Sequence, residues 1–312
     1  MARAWISIWP MYYLLYALLY LVSLLPMRLL YVLSDAIYLL VYHVFGYRKD
    51  LVRSNLELAF PEKTEAERIR IAKKFYHNFI DSFIEVIKLM SAGDAFLKKR
   101  FTADTGELNE IYKTGKSCHL HLGHTFNWEW GHLVLTPMTK YQIIVVYMPI
   151  SNAVFEKLFY KLRVRSGNVF IPATDIRSAL APYLPTQYLL GLVADQNPSN
   201  PGNPGSSYWL NFFGRPAPFS TGPEKGARAG SLPVMFASIE KPRRGYYHAR
   251  IQLGSADASL LPEGELTRQY VRYLEDVIRR NPDMWLWSHR RWKHAWKEEY
   301  ADRWVDSDKI TD

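Results

Sequence analysis

His124 and Glu129 are the residues of this chain whose types and spacing speak most directly of chemistry. They stand in the run His119-Leu-His-Leu-Gly-His-Thr-Phe-Asn-Trp-Glu-Trp-Gly-His132. The alternating pattern up to Leu122 reads as a strand, Gly123-His124 breaks it, and a helix-compatible stretch carrying Glu129 follows. A histidine and a carboxylate at such a junction can form a base and its orienter. Glu129 would hold one imidazole nitrogen so that the other accepts a proton. On one unbroken helix the two side chains would stand about 140° apart, at roughly 100° per residue. The pairing therefore requires the strand–turn–helix geometry that Gly123 permits. The competing reading is a core histidine beside a surface glutamate.

The other histidines of the run, His119, His121 and His132, invite a metal reading. No cysteine pair or carboxylate cluster completes a familiar ligand set, so no metal is expected. Neither a glycine-rich phosphate loop nor a dinucleotide fingerprint occurs, and no cofactor is expected. Cys118, the lone cysteine, excludes an intramolecular disulfide and reads as a core residue of the strand.

The elements that must position these residues follow from periodicity. Thr64 to Glu67 forms a capping box after the Phe60-Pro61 turn. The helix it opens carries Phe75, Phe79, Phe83 and Ile87, a stripe read as core contact rather than as a ligand site. Strands are expected at Ser117–Gly123, Tyr141–Tyr147 and Gln187–Ala194. Helices fall between them near Phe126–Leu135, Ser151–Arg165 and Asp175–Leu184. Strands alternating with helices imply an α/β domain with a largely parallel sheet. Asn197–Ser207 is an irregular loop beyond a strand's C-terminal end, where open α/β sheets bind ligands. Val234–Glu240 and Tyr246–Leu253 read as a hairpin, and a last helix spans about Glu263 to Arg280.

The chain has 312 residues, a formal charge of +9 and 15% aromatics, among them 10 Trp and 21 Tyr. Basic, aromatic-rich chains suit nucleic acid or an anionic membrane. The position of the aromatics favours the membrane. No charge interrupts the sequence between Arg3 and Arg28, and Trp5 to Met27 would reach roughly 30 Å or more as a helix. Its Ser23-Leu-Leu-Pro-Met27 end is a poor cleavage site, so an uncleaved single-pass anchor is expected. Leu29 to Phe45, with Asp35 and His43, looks amphipathic and suits the interface. Arg48, Lys49 and Arg53 then place the remainder on the cytoplasmic side. Nucleic acid is not an expected partner.

His124-Thr-Phe-Asn-Trp-Glu129 resembles the His-(four residues)-Glu signature of the bacterial lipid A late acyltransferases, the lauroyl/myristoyl transferase family of the glycerolipid acyltransferase-like superfamily. Further blocks resemble that family in order: Asn55-Leu with Phe60-Pro61, Tyr147-Met-Pro149 with Asn152, Asp195-Gln196, Phe212-Phe-Gly-Arg-Pro216 and Trp287-Ser-His-Arg-Arg-Trp-Lys293. The likeness runs from about residue 45 to 295. Thr125-Phe126 and Met148 depart from the family's Phe-Gly and from the arginine of its Tyr-Arg-Pro.

The resemblance implies an α/β/α fold with a mostly parallel central sheet, preceded by a transmembrane helix and a helical segment. Residues 1–47 would be the membrane anchor and interfacial helix, and 48–312 the acyltransferase domain. The implied reaction is acyl transfer from a thioester, acyl-acyl carrier protein (acyl-ACP) or acyl-coenzyme A (acyl-CoA), to a hydroxyl of a lipid A precursor at the bacterial inner membrane. His124 is the implied base and Glu129 its orienter. Arg163, Arg165, Asp195 and Asn127 are the expected substrate-binding residues. The competing reading of Arg163 is a solvated helix face shared with Lys157, Lys161 and Arg165. Trp285, Trp287, Trp292 and Trp296, interleaved with His289, Arg290, Arg291 and Lys293, suit a surface meeting lipid phosphates or an acidic carrier protein. Partners would be the lipid acceptor, the acyl carrier protein and the membrane. The alternatives are acylation of another membrane lipid and a non-enzymatic membrane scaffold.

Overall fold

The computed structural model describes residues 2–306 except Pro204, with side chains from residue 9 onward. Helix α1 (Ala2–Leu24) stops just before Pro26, which lacks the N–H a continuing helix needs. Helix α2 (Met27–Leu39) runs on through a π-helical turn, Leu40–Val44. Helices α3 (Lys49–Ala59) and α4 (Glu65–Lys88) follow. The expected capping box opens α4: Glu67 N donates to Thr64 Oγ1 at 3.3 Å, and Thr64 N donates to the Glu67 carboxylate at 2.8 Å.

The α/β domain then unfolds in order as α5 (Asp94–Arg100), β1 (Phe101–Ala103), α6 (Gly106–Lys113), β2 (Cys118–Leu122), α7 (Trp128–Leu135), β3 (Gln142–Tyr147), α8 (Ala153–Arg163), β4 (Val169–Pro172), α9 (Ile176–Leu180) and β5 (Tyr188–Val193). After these come β6 (Ser207–Phe212), β7 (Arg215–Ser220), α10 (Gly222–Ala229), β8 (Val234–Arg243), β9 (Tyr246–Ser255) and α11 (Glu265–Arg280). The main sheet has the order β1-β9-β8-β2-β5-β3-β4, and every neighbouring pair is parallel except the β8–β9 hairpin. The α/β class and the mostly parallel sheet are as expected. Near-continuous apolar runs such as Tyr188–Val193 explain this, because a parallel sheet is covered on both faces.

The three expected inner strands and the late hairpin are present. The periodicity did not mark β1 and β4, which are only 3 and 4 residues long. The β6–β7 ribbon was also missed. Pro216 and Pro218 argue against a strand, yet here they sit in a separate two-stranded ribbon where missing N–H groups are tolerated. Phe213 and Gly214, both at positive φ, make its two-residue turn.

The N-terminal helices lie against this domain. Tyr12, Leu15, Tyr16 and Leu19 of α1 pack with Val154 and Leu158 of α8. Lys157 Nζ stands 3.1 Å from the Trp9 ring centroid, a cation–π contact. At the other end of α1, Lys88 Nζ donates to the Ser23 and Leu25 carbonyls, a favourable place for a cation. Met27, Leu30 and Tyr38 of α2 join the main core with α4. Met11, Leu14, Leu18 and Leu21 stay exposed along one face of α1, as do Val32 and Phe45 further on.

Among the described residues, the helix long and apolar enough to cross a membrane is Met27–Val44, of which 28% is buried. The sequence had placed the span at 5–27 and an interfacial helix after it. The described apolar part of the first helix, Trp9–Leu24, is shorter, and the side chains of residues 1–8 lie outside the described residues.

Thr64→Ala removes one half of the capping box and is expected to cost about 1 kcal/mol. Urea unfolding of the detergent-solubilised protein measures the loss, and transfer activity in the folded state should be unchanged.

Candidate active site

Strands β2 and β5 are adjacent and parallel, and Leu122 pairs with Val193 in their register. The next residues therefore leave the sheet side by side, with Ala194 N donating to Leu122 O at 3.0 Å. Gly123 sits so close that a Cβ there would lie 2.6 Å from Leu274 Cδ1 and 3.2 Å from Asp195 Oδ2. This is what brings His124 to Asp195. His124 Nδ1 lies 2.5 Å from Asp195 Oδ1, and the His124 backbone N–H donates to Oδ2 at 2.8 Å. Trp285 Nε1 donates to the same Oδ2 at 2.6 Å. The Asp195 side chain is 1% exposed and that of His124 28% exposed, so the acid is sealed and the imidazole faces a cleft.

Burial alone would raise the Asp195 carboxyl. The charge of His124, with hydrogen bonds from His124 and Trp285, outweighs burial and holds the carboxyl below its ordinary range. Against an ionised Asp195 the Nδ1 of His124 is the donor, which leaves Nε2 as the acceptor whenever the imidazole is neutral.

The structure corrects the expected partner of His124. Glu129 points to Arg163 instead: Arg163 Nη2 donates to Glu129 Oε1 at 2.6 Å, and Nε lies 3.1 and 3.2 Å from the two oxygens. His132 Nε2 stands 3.7 Å away on the far side. Burial would raise the Glu129 carboxyl, but His132 and Arg163 together hold it low. Glu129 nevertheless lines the same cleft as His124, a pocket of about 160 Å³ shared with Phe79, Phe83, Phe159 and Leu286. The α4 aromatic stripe is thus divided. Phe75 is core, whereas Phe79 and Phe83 face the cleft, contrary to the reading of the whole stripe as core.

Arg163 is buried, under the rings of Trp128, Tyr147, Phe159 and Phe170, and is not on a solvated helix face. Its helix is fixed by the Tyr147–Asn152 block: Asn152 Oδ1 caps Val154 and Phe155 N–H, and Tyr147 Oη donates to Glu156. Arg165 is not brought to the site. Its guanidinium donates to the Leu89 carbonyl and lines a different cavity. Asn127 lines the cleft, but its side-chain amide donates to the buried Glu85. Met148, the departure in the Tyr-Met-Pro block, is 65% exposed. Thr125 and Phe126 are also placed: Thr125 bridges to Trp285, and Phe126 packs beside Phe75 and Phe79.

The C-terminal Trp and Arg block is mostly interior, not the lipid-meeting surface expected of it. Trp285, Trp287 and Arg291 are fully buried. Arg291 donates to Asn197 Oδ1 and the Pro218 carbonyl, and Asn55 Nδ2 donates to the Trp287 and His289 carbonyls. Phe60 meets Phe213 and Trp287, and Phe212 stacks on Trp292. Segments far apart in sequence therefore form one aromatic wall behind Asp195. Arg290 and Lys293 are exposed. The remaining histidines of the run are scaffold. Burial drives His119 down to about 4 and His121 well below its ordinary value, keeping both neutral. No group of three or more histidine, cysteine or carboxylate ligands occurs among the described residues.

A family model described as bacterial lipid A biosynthesis acyltransferase matches residues 2–294. The chain belongs to the bacterial lipid A biosynthesis acyltransferase family. It is therefore an acyltransferase whose family acts in lipid A biosynthesis. Compared with curated protein sequences, the chain finds no match. In this acyltransferase, sequence pattern singled out His124, but only the adjacency of β2 and β5 showed Asp195 as the group that holds its imidazole.

Asp195→Asn keeps the shape but removes the charge that fixes the imidazole, and kcat is expected to fall by about 10²-fold or more. The same variant tests linkage. A carboxyl held below its ordinary value of 3.8 adds stability that is complete above that value and is lost as pH falls through the lowered one. Thermal unfolding followed downward from pH 7 should show a smaller acid-side loss in Asp195→Asn than in the native protein.

Proposed function

We propose that this acyltransferase moves a fatty acyl chain from a thioester carrier to a hydroxyl of a lipid A precursor, with His124 as general base. The observation that carries the reading is the partly exposed imidazole, held at Nδ1 by the buried Asp195 and facing a cleft of largely apolar walls. His124 Nε2 takes the proton of the hydroxyl as its oxygen attacks the thioester carbonyl. Asp195, itself buried, stabilises the imidazolium that results. The tetrahedral intermediate collapses, the C–S bond breaks, and the thiolate takes the proton back from His124. The products are the ester and the free thiol, with no covalent acyl-enzyme. Glu129, held ionised by Arg163, forms the wall of the cleft and keeps the start of α7 in place.

Room for acyl chains supports the same reading. A second pocket of about 390 Å³, wholly apolar, is lined by Leu15 and Leu19 of α1, Ile87 of α4 and Met90 just after it, and Leu158 and Leu162 of α8. It shares Phe83, Val86 and Phe159 with the cleft, so the two adjoin across these side chains. A smaller apolar cavity of about 80 Å³ lies on the other side of Trp128, beneath α7. The exposed apolar faces of α1 and α2 are suited to a bilayer, which would bring the lipid acceptor to the groove. A net charge of +9, with Arg290 and Lys293 exposed, favours an acidic acyl carrier protein as donor over a small thioester.

His124→Ala should abolish transfer while the protein remains folded in membranes. Purified protein offered labelled acyl-ACP and acyl-CoA with a lipid A precursor tests donor and acceptor together. Full activity of His124→Ala, or transfer only to a lysophospholipid, would sink the reading. In the groove, Leu19→Trp should shift preference toward shorter acyl chains, read by mass spectrometry of the product mixture from equimolar donors.

A further inference from the structure

Between His124 and Glu129 the chain turns through Asn127, a residue in the left-handed region at φ 72° and ψ 27°. It precedes α7, and its backbone carbonyl accepts from Trp130 and Gly131 N–H. Asn127 is only 3% exposed, and its Oδ1 has no hydrogen-bond partner among the described residues. Its Nδ2 donates to Glu85 Oε2 at 2.5 Å, beside the Tyr247 hydroxyl. Glu85 itself is fully buried on α4. Two further hydroxyls donate to it, Tyr247 of β9 at 2.6 Å and Tyr31 of α2 at 2.7 Å. Trp130 Nε1 donates to the Glu85 backbone carbonyl at 3.0 Å, so the turn at Asn127 and the first turn of α7 both rest on this one residue.

Such a carboxylate is costly to bury. Burial pushes it up to about 7, against Lys241 and the two tyrosine hydroxyls, which favour the charged form, while Asp81 on the same helix opposes it. A hydrophobic residue would fill the space without that cost, and nothing in the acyl-transfer chemistry touches Glu85 directly. What distinguishes it is connection. Tyr31 lies on the apolar helix α2, and one turn earlier on α4 Asp81 accepts from Ser34 of the same helix and from Lys241 and Arg244 of the hairpin.

We infer that Glu85 is a positioning residue for acyl transfer: through Asn127 it holds the His124–Glu129 turn in its working conformation, and through Tyr31 it ties that turn to the apolar helix α2. The inference rests on His124 being the base, as proposed above. A buried, oriented carboxylate holds a strained turn more firmly than packing does, because only one arrangement of the three donors satisfies it. Replacing one oxygen by an amide turns an acceptor into a donor, whichever way the amide is rotated, and leaves one of the donors unmatched.

The test uses the full chain in detergent micelles or lipid vesicles. Glu85→Gln and Asn127→Ala are each expected to lower kcat about tenfold with KM little changed, and the double variant to be no worse than either alone, since both act through one bond. Hydrogen exchange at amides 124–130 should rise in Glu85→Gln and, more weakly, in Tyr247→Phe, which keeps the carboxylate and guards against a variant that does not fold. Multiplying losses in the double variant, or unchanged exchange across the turn in both Glu85→Gln and Tyr247→Phe, would overturn the inference. Exchange does not depend on the donor supplied. A native protein without turnover therefore counts against the proposed reaction alone, and an unaltered turn counts against Glu85 alone.

Discussion

The bond between His124 Nδ1 and Asp195 is the constraint around which the site is organised. An aspartate this deeply buried needs every acceptor position answered, and His124 and Trp285 answer them. The Trp285 donor in turn depends on a segment that packs only because Phe60, Phe212, Phe213, Trp287 and Trp292 enclose it. Part of the chain's aromatic content is spent behind the His124–Asp195 pair. It supplies a rigid, dry wall in which a carboxylate can be kept charged and aimed.

The second carboxylate of the site follows the opposite arrangement. Glu129 is matched by Arg163, and Arg163 is enclosed by four rings, so this ion pair is buried as a unit. Buried pairs of this kind add little net stability, because desolvation offsets attraction, but breaking one leaves an unpaired charge. Its effect is on geometry: it joins the start of α7 to the end of α8. Since α8 also supports α1, the apolar N-terminal helices and the cleft share one framework. The apolar groove lies in the seam between them, with α1 as its outer wall.

Much of this was legible in the chain itself. Period-two runs marked β2, β3 and β5, the Thr64–Glu67 box marked the start of α4, and the Gly123-His124 break marked the mouth of the site. What escaped was whatever depends on who lies beside whom. Glu129 is five residues from His124 and seemed its natural partner, whereas Asp195 is 71 residues away. Phe83 and Phe75 occupy the same helical stripe, yet one meets the cleft and the other the core. The Trp-His-Arg-Arg block looked like a surface because it is charged, but Arg291 is fully buried with its own carbonyl and amide partners.

By itself, the sequence determined the α/β class, the mostly parallel sheet and the apolar N-terminal helices, because these follow from local periodicity, turn residues and composition; it singled out His124 through the Gly123-His124 break and the family motif around it. Tertiary structure decided the partner of that histidine, the burial of Arg163 and Arg291, and the groove under α1. The reason is physical: hydrogen bonds and burial depend on strand order and helix packing, and the pairing of β2 with β5 places Asp195 within 2.5 Å of His124 although nothing in either segment encodes the other.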